Sequence, residues 1–341
     1  MRCVKIDGPK SLILSEINEP KESSKNVLIG VKKTGICGSD IHYWVSGEPK
    51  GLIMGHEFCG TVVNPGNRKD LQVGDRVTAL PISPCGECEA CLTGNPQYCL
   101  KTWDKAVGLS LTNPGGFTNK ILVRPDLVMK VPDNITDEEA AMVEPTAVGF
   151  HAIRLANIKV GDKVLIIGGG IIGLVSAMFA KLEGASYVAV SESNPKRGKK
   201  AVSLKVADEY LDALDPNFVE NAMSKSNGGF DKVIECCGNS AAVTSSLLAA
   251  KTGGTVILVG VSLDPITIPL TIGVMHELKI QGAIAYTKEE FKLCIDLMAN
   301  KSINVLKFLD EVVSLDKTQE SFEKLTSNNN SAVKIIVDPN K

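Results

Sequence analysis

The sequence has no large excess of charge of either sign, since 37 basic and 39 acidic side chains leave a formal net charge of −2 at pH 7 over 341 residues. Binding to nucleic acid or to an acidic membrane surface requires a strongly basic face, so this balance argues against both kinds of partner. The first residues, MRCVK, lack the continuous apolar core of a secretory signal peptide. We therefore expect a cytoplasmic protein.

Long apolar runs are also scarce. The uncharged stretch from 164 to 180 contains four glycines and spans 17 residues, fewer than the roughly 20 that a transmembrane helix needs. A buried strand followed by a helix is favoured over a membrane span. The hydrophobic fraction of 44% and the charged fraction of 22% are ordinary for a globular protein. The length favours two domains of roughly 150 residues each.

The same stretch contains a glycine-rich turn. An apolar strand pattern stops abruptly at Gly168, and the spacing G-x-G-x-x-G places further glycines at Gly170 and Gly173. The first glycine allows a sharp turn, the second lets the backbone approach a pyrophosphate, and the third packs the helix on the strand. The helix begins at Ile171 and Ile172, where free N–H groups and the positive end of the dipole suit phosphate. The pattern predicts a dinucleotide-binding turn.

An acidic residue follows the next predicted strand. Glu192 lies 24 positions after Gly168, near the roughly 20-residue interval of the carboxylate that binds an adenosine ribose. That carboxylate accepts hydrogen bonds from the 2′-hydroxyl and repels a 2′-phosphate, so it predicts NAD(H) rather than NADP. Arg197 leaves the alternative open, because a nearby arginine can serve a 2′-phosphate. Beside Glu192, stacking on adenine or plain solvation is the favoured interpretation of Arg197.

Four cysteines form a short cluster with the pattern C-x2-C-x2-C-x7-C: Cys85, Cys88, Cys91 and Cys99. Four thiolates can close a tetrahedron around Zn²⁺ and leave no position for substrate, which predicts a structural site. An iron–sulfur cluster is an alternative, because four cysteines also suit it. Two disulfides are another, although ten cysteines without a signal sequence favour reduced thiols.

A second, mixed set of candidate ligands lies nearer the N-terminus. Cys37, His56 and Glu57 stand among glycines in one small β-rich region. A single cysteine or histidine beside apolar residues is usually packed rather than bound to metal. Together, sulfur, nitrogen and oxygen donors suit a zinc ion that keeps one position open.

These motifs, taken in order, resemble those of the zinc-dependent medium-chain alcohol dehydrogenases, and most closely the polyol, sorbitol-dehydrogenase-like branch. They are Cys37-Gly38-Ser39-Asp40-x-His42, Gly55-His56-Glu57, the four-cysteine cluster, Glu144-Pro145, the glycine turn and Glu192. The resemblance implies an α/β protein with a GroES-like β-rich catalytic domain at 1–147 and 284–341, including a structural-zinc lobe at 81–100. A Rossmann doubly wound parallel sheet at 148–283 would bind NAD. Alternating strand and helix patterns in that segment predict the same sheet.

The resemblance also implies roles for the metal-site residues. Cys37 and His56 would bind a catalytic zinc directly. Glu144 stands where this branch carries a carboxylate in place of a cysteine, either on the metal or one water away. A carboxylate favoured at the start of a helix is the alternative for Glu144. Glu57 would lie beside the metal as a transient ligand or as an outer group.

Further residues would serve the substrate. Ser39 would contact the alcohol oxygen, and His42 would continue a proton path to solvent, with a plain surface histidine as the alternative. Ala285 stands where the sorbitol pattern has an arginine, which favours a smaller diol or a secondary alcohol. The aromatic residues expected to line the substrate pocket are Tyr43, Trp44 and Tyr286, although Tyr43 and Trp44 could equally serve packing.

The expected function is reversible oxidation of a secondary alcohol, a polyol or vicinal diol, to its ketone, with two zinc ions per chain and NAD(H). A 2,3-butanediol or L-threonine 3-dehydrogenase is an alternative that uses the same sites. A non-catalytic NAD-sensing zinc protein is a third possibility, disfavoured because a sensor does not need the proton relay at Ser39. The family resemblance also implies a homodimer or a homotetramer.

Overall fold

The computed structural model describes residues 1–262, 264–327 and 329–341. The chain divides into two compact units. The first comprises Met1–Ala147, Tyr286–Ser327 and Lys334–Lys341, and the second comprises Val148–Ala285 and Asn328–Val333. The sequence had placed all of 284–341 in the first domain. The short segment before Lys334 belongs instead with the second unit, where the Asn194 side chain donates a hydrogen bond of 2.7 Å to the Asn330 carbonyl.

The first half of the chain is rich in short strands. The strands are β1 (Arg2–Gly8), β2 (Ser11–Glu16), β3 (Val27–Gly35), β4 (Glu57–Asn64), β5 (Arg76–Ala79), β6 (Lys120–Val123) and β7 (Val128–Lys130). The helices are α1 (Gly38–Ser46), α2 (Glu89–Leu92), α3 (Asp137–Ala141) and α4 (Val143–Ala156). A capping box starts α3, because the Thr136 hydroxyl accepts from the Glu139 N–H at 3.1 Å and the Glu139 carboxylate accepts from the Thr136 N–H at 2.8 Å.

The second unit alternates strands with helices. Its strands are β8 (Lys163–Ile167), β9 (Tyr187–Glu192), β10 (Glu209–Asp212), β11 (Phe230–Glu235), β12 (Ala250–Leu258) and β13 (Lys279–Gly282). Its further helices are α5 (Ile171–Leu182), α6 (Pro195–Ser203), α7 (Phe218–Ser226), α8 (Ser240–Ala249) and α9 (Leu270–Met275).

All neighbouring strands of this unit pair in parallel, in the order β10-β9-β8-β11-β12-β13. The order reverses between β8 and β11, so a crevice lies at the carboxyl ends of these two strands, where dinucleotides bind in such sheets. The core is built from apolar residues of the strands and flanking helices, among them Leu165, Val233 and Val256, all fully buried. Within the described parts of the chain, no helix is long and apolar enough to cross a membrane.

The chain then returns to the first unit through α10 (Lys288–Ala299), β14 (Glu311–Ser314), α11 (Thr318–Thr326) and β15 (Ile335–Asp338). The main sheet of that unit runs β14-β15-β3-β4-β5-β7, and β6 also pairs with β3. Strand β15 is antiparallel to β3, with Ile336 opposite Gly35. The C-terminal strand therefore lies beside the end of β3, directly before Cys37.

Candidate metal centres and cofactor-binding turn

The pairing of β3 with β4 brings the mixed ligand set together. The two strands are antiparallel, and Gly35 at the end of β3 lies opposite Glu57 at the start of β4. Cys37 follows β3 by two residues, so its side chain meets His56 and Glu57. The candidate ligand atoms of these three residues all lie within 4.8 Å of one another. Cys37 is half-buried, and the other two are buried.

Unpartnered buried atoms at this cluster fit a metal. The Oε1 atom of Glu57 is shielded from solvent and has no hydrogen-bond partner. His56 Nδ1 lies 3.4 Å from Asp40 Oδ1, which leaves Nε2 free for the cluster. Asp40 Oδ2 accepts a hydrogen bond of 2.9 Å from the Cys37 N–H. A carboxylate behind a histidine is the usual support of a metal-binding imidazole, so the donor set suits zinc with one open position.

A buried lysine completes the surroundings of Glu57. Lys334 Nζ donates to Glu57 Oε2, and neither side chain is exposed. The same ammonium donates to the Ile36 carbonyl at 2.9 Å. A Cβ at Gly35 would overlap Glu57 Oε2, so a glycine is required there. The sequence analysis missed Lys334, and it quoted Asp40 without giving it a role.

Glu144 lies in the first turn of α4, as the helix-start alternative expects, but its carboxylate also belongs to the surroundings of the cluster. Glu144 does not belong to the cluster of candidate metal ligands formed by Cys37, His56 and Glu57. Its Oε1 atom accepts a hydrogen bond of 2.8 Å from the Tyr286 hydroxyl. Burial raises the pKa of the Glu144 carboxyl to about 7; the nearby Glu57 adds to the rise, and His56 opposes it.

Helix α1 presents the expected proton-relay residues. Ser39 is half-buried in the first turn and His42 is exposed one turn later. Residues three apart lie on one helix face, so the two side chains lead from the Cys37 end of the helix towards solvent.

The three aromatic residues expected to line the substrate pocket differ in burial. Trp44 is 3% exposed, packs against Phe322 with ring centroids 5.8 Å apart, and donates its indole N–H to Gln319 at 3.2 Å. These contacts fit the packing role that was the alternative for Trp44. Tyr286 is fully buried, and its hydroxyl donates a hydrogen bond to Glu144. Tyr43 is half-buried on α1.

The four cysteines converge in the lobe around α2. The sulfurs of Cys88 and Cys91 are 3.6 Å apart, and those of Cys85 and Cys91 are 3.9 Å apart. A tetrahedron with Zn–S bonds of about 2.3 Å has sulfurs about 3.8 Å apart, so the spacing suits one zinc ion. The iron–sulfur alternative fits less well, since a cluster of several iron atoms spreads its ligands further.

Disulfides are excluded as the explanation of this lobe. A disulfide requires sulfurs about 2.05 Å apart, and every one of the ten cysteines is a free thiol in the described structure. Backbone N–H groups point at the sulfurs instead, such as that of Cys88 at 3.3 Å from Cys85 Sγ. A hydrogen bond from the Cys85 N–H lowers the pKa of the Cys99 thiol to about 6. Burial instead raises the pKa of the Cys91 thiol to about 12, so the four sulfurs differ in how readily they form the thiolate that zinc binds.

The glycine turn has the geometry that the sequence predicts. Gly168 follows β8 with φ +104°, in the left-handed region that glycine tolerates. A Cβ at Gly173 would overlap the Gly168 carbonyl oxygen, whereas a Cβ at Gly170 would meet nothing within 4 Å. Gly170 caps α5 without a side-chain hydrogen bond. The backbone N–H groups of Ile171 and Ile172, at the start of α5, are therefore the candidates to bind phosphate.

Glu192 is the last residue of β9 and lies beside this turn. Its Oε2 atom accepts from the Gly169 N–H at 2.8 Å, and Oε1 accepts from the Asn194 N–H at 2.9 Å. An ionised carboxylate has about four acceptor sites, so capacity remains for a ribose hydroxyl. Arg197 is half-buried on α6, which begins three residues after Glu192.

Comparisons with known proteins match one family to the N-terminal part of the chain and another to the part that follows it. The Alcohol dehydrogenase GroES-like domain family matches residues 23–133, and the Zinc-binding dehydrogenase family matches residues 172–300. The sorbitol dehydrogenase of Bos taurus is 33% identical over 98% of this chain and 96% of its own length. That of Bacillus subtilis is 30% identical over 100% of this chain and 98% of its own.

Solved structures of other dehydrogenases share the fold of this chain. The 2R,3R-butanediol dehydrogenase of Bacillus subtilis has a TM-score of 0.87 at 28% identity, over 99% of both chains. An alcohol dehydrogenase from a Thermus species has a TM-score of 0.89 at 26% identity, also over 99% of both. The predicted fold class is confirmed, and so is the expectation of an enzyme. The chain belongs to the zinc-dependent medium-chain alcohol dehydrogenase family, in its sorbitol-dehydrogenase-like branch.

Proposed function

We propose that this chain interconverts a polyol or vicinal diol and its ketone with two zinc ions and NAD(H). The observation that carries the proposal is the approach of Cys37, His56 and Glu57 to within 4.8 Å, beneath the start of α1. The first unit is the catalytic domain in this proposal, and the second unit binds NAD. Cys37, His56 and Glu57 hold the catalytic zinc, with Glu144 beside them, and the four-cysteine lobe holds the structural zinc.

The reaction breaks one C–H and one O–H bond of the alcohol and forms the carbonyl. When bound, zinc supplies Lewis-acid polarisation of the hydroxyl, and the nicotinamide accepts the hydride with both C–H electrons. Ser39 relays the proton: its oxygen accepts the alcohol proton as its own hydroxyl proton moves on, and His42 passes that proton to solvent. This order agrees with the increasing exposure of the two residues along one face of α1. The remaining residues position the reactants and exclude water.

The cofactor is NAD(H) rather than NADP in this proposal. Glu192 lies beside the glycine turn, and it presents negative charge where the 2′-phosphate of NADP would lie. Gly168, Gly170 and the first turn of α5 receive the pyrophosphate. Arg197 remains the residue that would serve an adenine ring or a phosphate from α6.

The substrate is expected to be short. Ala285 stands where the sorbitol pattern has an arginine, so a donor for a long hydroxylated chain is missing at that position. This favours a vicinal diol such as 2,3-butanediol over sorbitol, and the likeness to a butanediol dehydrogenase supports the choice.

A homodimer or homotetramer is proposed as the assembly. Strand β13 forms one edge of the parallel sheet, and all four of its residues are exposed. The neighbouring helix α9 exposes Leu270, Val274 and Met275. A second copy pairing along this edge would cover both features. Light scattering on a size-exclusion column tests this, and a monomer at micromolar concentration would contradict it. A reducing cytoplasmic location is proposed from the ten free thiols.

The central test is NADH formation over a panel of sorbitol, xylitol, 2,3-butanediol, L-threonine and simple secondary alcohols, with and without a chelator. We expect chelator-sensitive oxidation of the diol and loss of turnover in Cys37→Ser, with NADH binding retained. Retained turnover in Cys37→Ser would remove the catalytic-zinc assignment. A chain that binds two zinc ions and NADH but oxidises no alcohol would instead favour the sensing alternative.

A further inference from the structure

Two carboxylates lie at the candidate catalytic metal site, and each is held by a different partner. Glu57 is bound by the ammonium of Lys334. Glu144 is bound by the phenol of Tyr286, with the hydroxyl 2.8 Å from Oε1. The Tyr286 ring packs on Phe291, with centroids 5.4 Å apart. This contact holds the ring, and therefore its hydroxyl, in place.

The hydrogen bond restricts the orientation of Glu144. The terminal torsion of a glutamate is broad and soft, and a hydrogen bond to one of its oxygens confines it. That bond occupies Oε1 and leaves acceptor capacity on the carboxylate. Glu144 retains 8% exposure, so a small donor can still reach it.

A vicinal diol carries such a donor beside the reacting carbon. When one hydroxyl occupies the metal position, the second hydroxyl lies one carbon away and needs an acceptor. A simple secondary alcohol lacks that donor, so the carboxylate keeps only its hydrogen bond from Tyr286. Sites built to bind a hydroxyl discriminate strongly against substrates without it.

We propose that Tyr286 is a positioning residue that sets the preference of this enzyme for vicinal diols over simple alcohols, by aiming the free oxygen of Glu144 at the second hydroxyl. This inference rests on the proposed function, because it takes Cys37, His56 and Glu57 as the metal position. It reassigns Tyr286 from a wall of the substrate pocket to a residue that acts through Glu144.

The test compares two substrates that differ in one hydroxyl, 2,3-butanediol and 2-butanol. We expect Tyr286→Phe to lower kcat/KM for the diol about tenfold or more, since small displacements of an aligned group cost up to about a hundredfold. The value for 2-butanol should stay within twofold. Equal losses on both substrates would indicate a merely structural role and overturn the proposal, and so would no loss on either.

A matched control is available in the second unit. Tyr187 also donates its hydroxyl to a carboxylate, Glu209 Oε2, at 2.6 Å, and Tyr187→Phe removes that bond without touching the metal site. Tyr187→Phe should leave kcat/KM unchanged for both 2,3-butanediol and 2-butanol. In a Glu144→Ala background, Tyr286→Phe should have no further effect on the ratio of the two substrates, because coupled residues are non-additive. A full additive loss would overturn the mechanism through Glu144.

Calorimetric titration separates this inference from the proposed function. The diol is titrated into the zinc-loaded chain with NADH, in the wild type and in Tyr286→Phe. Weaker diol binding in Tyr286→Phe, with NADH affinity unchanged, supports the inference even if the wild type turns over neither alcohol. Unchanged diol binding overturns it even if the wild type is an active dehydrogenase.

Discussion

Lys334 and Glu57 form an ion pair in which neither side chain reaches solvent. The lysine comes from the residue before β15, and the glutamate from the first residue of β4. The pair therefore links the C-terminal strand to the candidate catalytic metal site. Its cation offsets part of the negative charge that a thiolate and a carboxylate bring to that site.

Replacing this lysine should destabilise the protein strongly. Lys334→Met keeps the length of the side chain but leaves Glu57 buried without its partner, which typically costs about 3–5 kcal/mol. Urea unfolding of the zinc-loaded protein measures the loss. Adding Glu57→Gln to Lys334→Met should restore part of it, since the unpaired charge is then removed.

The control for this prediction is an exposed pair. Lys324 and Glu311 are 2.6 Å apart with side chains 43% and 33% exposed, so Lys324→Met should cost about 1 kcal/mol or less. Similar losses in Lys334→Met and Lys324→Met would contradict the importance of the buried pair.

The glycine turn offers two substitutions with different expected outcomes. Gly173→Ala places a Cβ against the Gly168 carbonyl, so the helix must shift, and both the melting temperature and NADH affinity should fall. Gly170→Ala meets open space and should fold normally, but its methyl group occupies the approach of the pyrophosphate and should weaken NADH binding. Fluorescence titration with NADH measures both. Normal NADH binding by Gly170→Ala would show that the phosphates lie elsewhere.

The four-cysteine lobe should contribute stability rather than catalysis. Cys91→Ser should reduce the zinc content from two ions per chain to one and lower the melting temperature. The expected loss is about 4 kcal/mol when free zinc is about a thousand times its Kd. Glu87→Gln, which changes an exposed residue of the same lobe and keeps all four thiols, is the control. Metal analysis measures the zinc content of both variants, and thermal unfolding measures their melting temperatures. An unchanged melting temperature in Cys91→Ser would exclude a stabilising metal.

The charge of Glu192 should set the choice of cofactor. Glu192→Gln keeps an acceptor for the Gly169 N–H but removes the negative charge that repels a 2′-phosphate. The ratio of kcat/KM for NADP to that for NAD should rise on the order of tenfold, the effect of about 1.4 kcal/mol of lost repulsion. Glu209→Gln, on the neighbouring strand β10, should leave the ratio unchanged. If Glu192→Gln keeps the wild-type ratio, another residue selects the cofactor.

Local patterns predicted the parts of the structure that depend on neighbouring residues. The strand, turn and helix from β8 to α5 follow from apolar runs and glycine spacing. The capping box at Thr136 and Glu139 needs only three residues of separation. The four cysteines were found because a closed zinc site leaves a dense spacing in the chain.

The remainder depends on contacts between distant segments. A lysine before a strand normally predicts an exposed end, and only its pairing with Glu57, 277 residues earlier, explains why Lys334 is buried. The role of Tyr286 has the same origin, since Glu144 lies 142 residues before it. The sequence left Trp44 open between lining the pocket and packing, because its contact with Phe322 leaves no local signal.

The distance along the chain between Glu57 and Lys334 also has a consequence for biosynthesis. At about 5–20 residues per second, a ribosome needs roughly 15 to 55 s to make the residues that separate them. During that interval, Cys37, His56 and Glu57 have already been made, while the cation and strand β15, which pairs with β3, do not yet exist. The nascent metal site therefore lacks its counter-charge until Lys334 has been synthesised.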